Sequence, residues 1–429
     1  MGALFGTSGI RRKVSEFPKD FALNLGKAIG TYSKSGDIAV GRDTRKSGPQ
    51  IQKELVDGIL STGVNVIDLG IVPTPTVGYA TKDAKVGVMI TASHNPPEYN
   101  GFKFFSEEGA FKPSEEKKLE QIVLKKAFAK GKKGSVREGD YKREHIDLIL
   151  EKVGEITQPL SVLVDCAGGS GSTMTIRLLM LMGCHVDAIN TSVEGNFPHG
   201  LEPTEKNLAE TCELVKHGGY DIAFAHDGDA DRACAIDSRG RMIAWDSFLT
   251  VLAAGSKTVV TTVDASMRIS EFCEKVVRVA VGDVAVAEGV RKHKADFGGE
   301  PSGSFIFPDI HYFPDGPATV AKAVKLVADG TFYETLKNVP DYPMERIKIP
   351  CGEEDKKKVM KKLESIITEP HDRTDGYRVD FREGWVLIRP SGTEPFMRIT
   401  AEGRDKMSLQ HAIVKAEGWI RRAMGEDVL

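Results

Sequence analysis

Apolar positions along this chain fall into two alternating rhythms, helical periodicity and short β-branched runs. Helical spacing is predicted over 18–34, through Leu23, Leu25, Ala28 and Ile29, and over 49–62, which opens on Pro49. Short apolar strands are predicted at 37–41, 64–69 and 86–90, the last running into a polar loop at Thr91. An amphipathic helix follows over 113–130, and its lysines read as a solvated face. The rhythm then restarts. A strand at 161–165 leads through Gly168, Gly169 and Gly171 into a helix ending at Met182; strands at 185–189 and 220–225 flank a helix at 205–217. A third round comprises strands at 258–263 and 277–281 and helices at 266–275, 284–292 and 317–328. This order predicts mainly parallel, doubly wound α/β sheets. Beyond 335 the pattern changes to a strand at 346–349, a helix at 356–367, close strands at 376–381, 385–388 and 397–402, and a helix at 407–424, which predicts an α+β unit. The expected domains are 1–145, 146–243, 244–335 and 336–429.

Composition narrows the class. A length of 429 residues allows two to four domains, and 41% hydrophobic residues supply real cores. Lys+Arg at 58 against Asp+Glu at 61 gives a net charge of −3, which argues against a dedicated nucleic-acid or anionic-membrane binder. No apolar run reaches the ~18 residues of a membrane helix, and the first residues lack signal-peptide character, so a cytoplasmic protein is expected. The six cysteines are scattered without a CxxC and read as small buried hydrophobes.

Four polar loops follow predicted strands, where ligands of open α/β sheets bind. In Thr91-Ala-Ser-His-Asn-Pro-Pro, Ser93 stands at a strand end, placed as a nucleophile or as part of an ordinary Ser/Asn turn. In Asp227-Gly-Asp-Ala-Asp-Arg232, three carboxylates at i, i+2 and i+4 repel one another unless a hard cation such as Mg²⁺ neutralises them. An EF-hand does not fit, because Arg232 stands where Gly is needed. Gly298-Gly-Glu-Pro-Ser-Gly303 offers Glu300 and Ser302 to a polyol, or is a Gly-Pro turn. Arg389-Pro-Ser-Gly-Thr-Glu-Pro395 combines a guanidinium, two hydroxyls and a glycine, as an anion nest would, or is a plain hairpin loop. The segments Phe5-Gly-Thr-Ser-Gly-Ile-Arg-Arg12 and Gly41-Arg-Asp-Thr-Arg-Lys-Ser-Gly48 also suit a phosphate or a surface turn.

These loops, in this order and spacing and with the matching start at Phe5–Arg11, make the whole chain resemble the α-D-phosphohexomutases. The resemblance implies a heart-shaped arrangement of three similar doubly wound α/β domains plus a C-terminal α+β domain. It implies reversible phosphate transfer between O6 and O1 of a hexose, through a phosphoserine and a hexose 1,6-bisphosphate. Ser93 would be the phosphoserine. Asp227, Asp229 and Asp231, with Ser93, would hold Mg²⁺. Lys103 would be the general acid/base, its pKa lowered by Arg11 and desolvation, with assistance from Arg11 and His94. Arg232 would sit at the transferring group, Glu300 and Ser302 would grip sugar hydroxyls, and Arg389, Ser391, Gly392 and Thr393 would bind the phosphate that is not reacting. Closure of the C-terminal domain would exclude water. The expected partners are small hexose phosphates, with no nucleic acid or membrane, and the expected state is a monomer or homodimer. Two departures stand out: Arg12 where many members have Gly, and Ser304 where many bacterial members carry His. Glucosamine phosphate is the expected sugar, with mannose or glucose phosphate as the alternative. An aspartate-nucleophile phosphatase is a remote third reading, since Ala230-Asp231-Arg232 lacks the threonine that class needs. A non-catalytic sugar-phosphate binder is opposed by the intact Ser93, Lys103 and three aspartates.

Overall fold

A computed structural model describes residues 4–6, 9–391 and 395–425. Three of its four sheets repeat one arrangement. In the first, Tyr99–Ser106 lies antiparallel to Val86–Ile90, which runs parallel to Ile38–Arg42, which runs parallel to Val66–Ile71. The second repeats this with Ala233–Asp237, Ile222–His226, Ser161–Asp165 and His185–Ile189. The third does so with Phe305–Ile306, Phe297–Gly299, Thr258–Thr262 and Lys275–Val279. The first sheet is extended by the outermost strand Ile10–Lys13 on Tyr99–Ser106 and by Val136–Glu138 at the other end. The C-terminal sheet is wholly antiparallel: Met344–Pro350, Phe396–Gly403, Gly384–Pro390, Tyr377–Phe381 and His371–Asp372.

The parallel centres match the expected winding, but every α/β sheet also carries, beside its parallel centre, an antiparallel strand that the apolar pattern did not reveal. Tyr99–Ser106 shows why. Phe102 and Phe104 pack on one face with Phe21, while Phe105 packs on the other with Phe313, so Lys103 interrupts an otherwise apolar alternation. The helix expected at 266–275 is instead a 3-10 turn, Met267–Glu271, followed by Lys275–Val279 as a strand. Ser266 caps that turn by accepting from the Arg268 N–H at 3.1 Å, and β-branched Val276 and Val277 favour the strand.

Glycines let the helices of the first unit meet. Phe21–Ser33 and Gly48–Leu60 cross at Gly26 and Gly58, where an added Cβ would lie 2.0 Å from the Leu55 carbonyl oxygen and 2.2 Å from that of Leu23. One hydrophobic cluster runs from Ile146 to Phe332, so the second and third units share a core, joined through helix Gly316–Ala328. Where the first three units meet, Asp315 Oδ2 receives His145 Nε2 at 3.0 Å and His311 Nε2 at 2.8 Å. The Phe313 N–H donates to His311 Nδ1 at 3.2 Å, which leaves the ring proton on Nε2. This trio is a hydrogen-bonded clamp.

The C-terminal unit docks on the third through buried polar groups. Glu402 accepts from Ser266 Oγ, from the Met267 N–H at 2.8 Å and from Trp385 Nε1 at 2.6 Å. The Arg378 guanidinium lies over the Trp385 ring at 4.0 Å and donates to the Val263 carbonyl at 2.5 Å. Among the described residues, no helix is long and apolar enough to cross a membrane.

Candidate active site

Each of the four loops connects two antiparallel strands. The first joins Val86–Ile90 to Tyr99–Ser106 and holds Ser93, fully buried, at a left-handed φ of 51°. For a non-glycine residue that conformation costs about 1–3 kcal/mol and persists only where its surroundings over-determine it. Arg45 supplies the constraint. Its guanidinium donates to the carbonyls of Ser93 (2.8 Å), Asn95 (2.6 Å), Pro96 (2.6 Å) and Tyr99 (2.9 Å), and to Asp43 Oδ2 (3.0 Å). Thr91 Oγ1 donates to the same carboxylate oxygen at 2.7 Å and accepts from the Ser93 N–H at 2.8 Å. The segment at residues 41–48, a phosphate candidate in the sequence, is thus the scaffold of the serine loop, with all five Arg45 donors committed to protein.

The second loop, residues 227–232, joins Ile222–His226 to Ala233–Asp237 and presses against the first. A Cβ at Gly228 would stand 2.7 Å from the Ser93 carbonyl oxygen, so only glycine allows this approach. Ser93 Oγ donates to Asp227 Oδ2 at 2.7 Å and lies 3.3 Å from His94 Nδ1. Lys103 Nζ donates to Asp229 Oδ2 at 2.7 Å and to Asp231 Oδ2 at 2.5 Å, and Thr74 Oγ1 donates to Asp229 Oδ2 at 2.5 Å. The Oδ1 atoms of Asp227, Asp229 and Asp231 are buried without a partner. One oxygen from each carboxylate lies within 4.8 Å of the others. An unsatisfied buried carboxylate oxygen is costly, and three clustered carboxylates that each carry one form the hard-oxygen set that Mg²⁺ prefers. The residues fit the ion.

The electrostatics correct one expectation. Burial, helped by Arg11, pushes the Lys103 pKa down, but Asp229, Asp231 and Asp227 more than reverse this, so the lysine is held charged, above its usual value. Burial, then Asp231 and Asp229, pushes the Asp227 carboxyl up. His94 is kept neutral, its pKa lowered to about 3 by burial and then by Arg232 and Arg11. Arg11 reaches Asn95 Oδ1 at 3.3 Å, and Arg232 lies 3.9 Å from Asp231. The Nε atoms of both arginines are buried without a partner, an anion-seeking pair beside a cation-seeking trio.

Arg11, His94, Asp231 and Arg232 line a cleft of about 800 Å³ together with Glu300 and Ser302, with Ser93, Asp227 and Asp229 buried behind it. Glu300 begins the third loop. Its Oε1 accepts from the Gly282 N–H at 2.9 Å, and burial, then Asp283, raises its pKa to about 7 against the pull of Arg232. The fourth loop does not line this cleft within the described residues. Arg389 pairs with Asp375 at 2.8 Å, and Asp375 also accepts from the Val281 N–H at 3.1 Å at the cleft edge. Ser391 is buried, and its carbonyl accepts from Lys356 at 2.7 Å. Gly392 and Thr393 lie outside the described residues. The cleft also exposes Arg12, Asp264 and Asp283, which sequence reasoning did not assign. Arg12 was conspicuous as a departure and Asp283 as part of Val281-Gly-Asp-Val284, whereas nothing in the pattern marked Asp264.

Comparison with known proteins agrees with the geometry. Models of phosphoglucomutase/phosphomannomutase alpha/beta/alpha domains I, II and III match residues 2–130, 143–240 and 242–342, and the model of the C-terminal domain matches 347–415. A phosphoglucosamine mutase of Methanocaldococcus jannaschii is 41% identical over 99% of both chains. A probable phosphoglucosamine mutase of Pyrococcus furiosus is 39% identical over 99% of both. The crystal structure of a phosphoglucomutase/phosphomannomutase family protein from Burkholderia thailandensis superposes with a TM-score of 0.90 at 26% identity, covering 99% of this chain and 98% of that one. With four domain models in register along the chain and relatives matched from end to end, this protein belongs to the phosphoglucomutase/phosphomannomutase family of α-D-phosphohexomutases, which are isomerases.

Proposed function

We propose that this isomerase interconverts glucosamine 6-phosphate and glucosamine 1-phosphate through a phosphorylated Ser93 and a bisphosphate intermediate. One observation carries the reading: Ser93 Oγ bonds to Asp227 where three buried carboxylate oxygens and two buried guanidinium nitrogens lack partners. The end-to-end relatives named phosphoglucosamine mutase support the choice of sugar. Phosphoryl transfer asks for alignment and charge neutralisation more than for covalent assistance. Asp227, Asp229 and Asp231 would hold Mg²⁺ together with the phosphoserine, and when bound the ion neutralises charge on the phosphoryl oxygens. Arg232 and Arg11 supply guanidinium groups to the same phosphoryl group. Lys103, held protonated, is poised to give a proton to the departing alkoxide, and the neutral His94 flanks Ser93 Oγ. Glu300 and Ser302 take the sugar hydroxyls, while Arg389, Ser391, Gly392 and Thr393 receive the distal phosphate. Because the bisphosphate turns over between two transfers, both of its ends must be accepted at each position.

The test is kcat/KM on glucosamine, mannose and glucose 6-phosphates, with intact mass before and after incubation with the matching bisphosphate. Preference for glucosamine phosphate and one added phosphate, absent in Ser93→Ala, are expected. A strong preference for mannose or glucose phosphate would overturn the sugar assignment. Full activity of Ser93→Ala would instead favour an aspartate nucleophile.

A further inference from the structure

The bisphosphate carries two dianionic groups, and the cleft must answer both. The cations near the serine loop are largely committed. Lys103 is bonded to Asp229 and Asp231, Arg232 and Arg11 flank the reacting group, and Arg45 is used up on backbone carbonyls. Arg389 is paired with Asp375 at 2.8 Å and stands outside the cleft wall.

Arg12 differs from all of these. It lies in the outermost strand Ile10–Lys13, paired in register with Asn100, and lines the cleft half-exposed with no hydrogen bond or ion pair to the described residues. Its place along the strand matters. Arg11 pairs with Gly101 and Ile10 with Phe102, so Gly9 falls opposite Lys103 and Arg12 is three residues farther on. Three residues of strand span about 10 Å. Arg12 thus stands about 10 Å along the strand from the Lys103 row and, because side chains alternate, on the face of Ile10 and not on that of Arg11 and Lys103, so the two arginines line the cleft from opposite faces of this edge strand. A guanidinium offers five donors in a fork that matches phosphate oxygens two at a time, and this one has no hydrogen-bond or ion-pair partner among the described residues.

We propose that Arg12 is a binding residue for the phosphate that is not being transferred, receiving it inside the cleft alongside or ahead of the Arg389 loop. The inference rests on the mutase reading above. It also gives a use to the residue that departs from the family's usual glycine.

The experiment compares wild type, Arg12→Ala and Arg12→Lys with glucosamine 6-phosphate as substrate, glucosamine 1,6-bisphosphate as activator and inorganic phosphate as a competing probe. For Arg12→Ala we expect about a tenfold rise in KM, in the activation constant for the bisphosphate and in the inhibition constant for inorganic phosphate, equivalent to about 1.4 kcal/mol each. Arg12→Lys should recover part of each loss, since it keeps the charge but not the fork. Thermal unfolding of both variants should stay close to wild type, because Arg12 makes no hydrogen bond or ion pair to the described residues. Changes of twofold or less in all three constants overturn the proposal. So does slower transfer at saturating bisphosphate with KM unchanged, which would put Arg12 on the transferring group. If wild type itself neither turns over a hexose phosphate nor accepts phosphate on Ser93, the mutase reading fails first, and that outcome is recognised without any Arg12 variant.

Discussion

At the residue scale, chemistry was legible where it depended on residue type. Ser93 at a strand end read as a nucleophile or a turn residue and three aspartates at alternate positions as a hard-cation site, and the structure brings Ser93 Oγ within hydrogen-bond distance of Asp227. What the sequence hid was protonation, because a pKa follows from neighbours distant in the chain. Lys103 is held charged by Asp229 and Asp231, more than 120 residues away, instead of being lowered by Arg11. Glu300 gives a titratable prediction. Burial raises its carboxyl to about 7, and the ionised form is the better acceptor of a sugar hydroxyl. The protonated, weaker-binding form dominates below that value. Thus kcat/KM should climb as pH rises through about 7, and Glu300→Gln should remove that inflection while lowering activity about 10- to 100-fold. A profile of Glu300→Gln that keeps the same inflection would assign the titration to another group.

At the element scale, the central parallel strands, such as Val86–Ile90, Ser161–Asp165 and Thr258–Thr262, were readable because their apolar runs are buried on both faces, while the outer strands His185–Ile189 and Lys275–Val279 are half-exposed. The antiparallel strands beside the parallel centres were not readable: Lys103 breaks the apolar alternation of Tyr99–Ser106, and Ala233–Asp237 is a short run that begins directly after Arg232. The reactive loops are thus the tips of tight antiparallel connections, which fix backbone direction on both sides of each side chain. Arg45 and Asp43 were illegible for a related reason. They act on carbonyls, and carbonyls leave no mark in a sequence. Removing one member of a buried ion pair leaves the other uncompensated, at about 3–5 kcal/mol. Arg45→Met should therefore lower the urea midpoint strongly and abolish phosphorylation of Ser93. The double variant Asp43→Asn with Arg45→Met should regain part of that stability by relieving the stranded charge, without restoring the loop. A double variant no more stable than Arg45→Met alone would show that the pair contributes little beyond packing.

At the scale of the whole molecule, three repeating α/β rhythms and a changed pattern after 335 suggested four bodies, and four domain models match in turn. The sequence could not say how those bodies share surface, because apolar positions name what is buried but not against which neighbour. The answer lies in the cluster that runs from Ile146 to Phe332. A core crossing a boundary makes the two sides one cooperative unit, so family domains and foldons need not coincide. Native-state hydrogen exchange should find amides of Ile222–His226 and Gly316–Ala328 opening together, with one free energy and one denaturant slope. Amides of Val86–Ile90, whose neighbours form a separate cluster, should open with different values. Distinct slopes for the two members of the first pair would show that their shared packing does not couple them. The consequence reaches synthesis. A nascent chain that has emerged only as far as the end of the second unit still lacks helix Gly316–Ala328, and its sheet must wait, with one apolar face only partly covered, for about 80 more residues to be made.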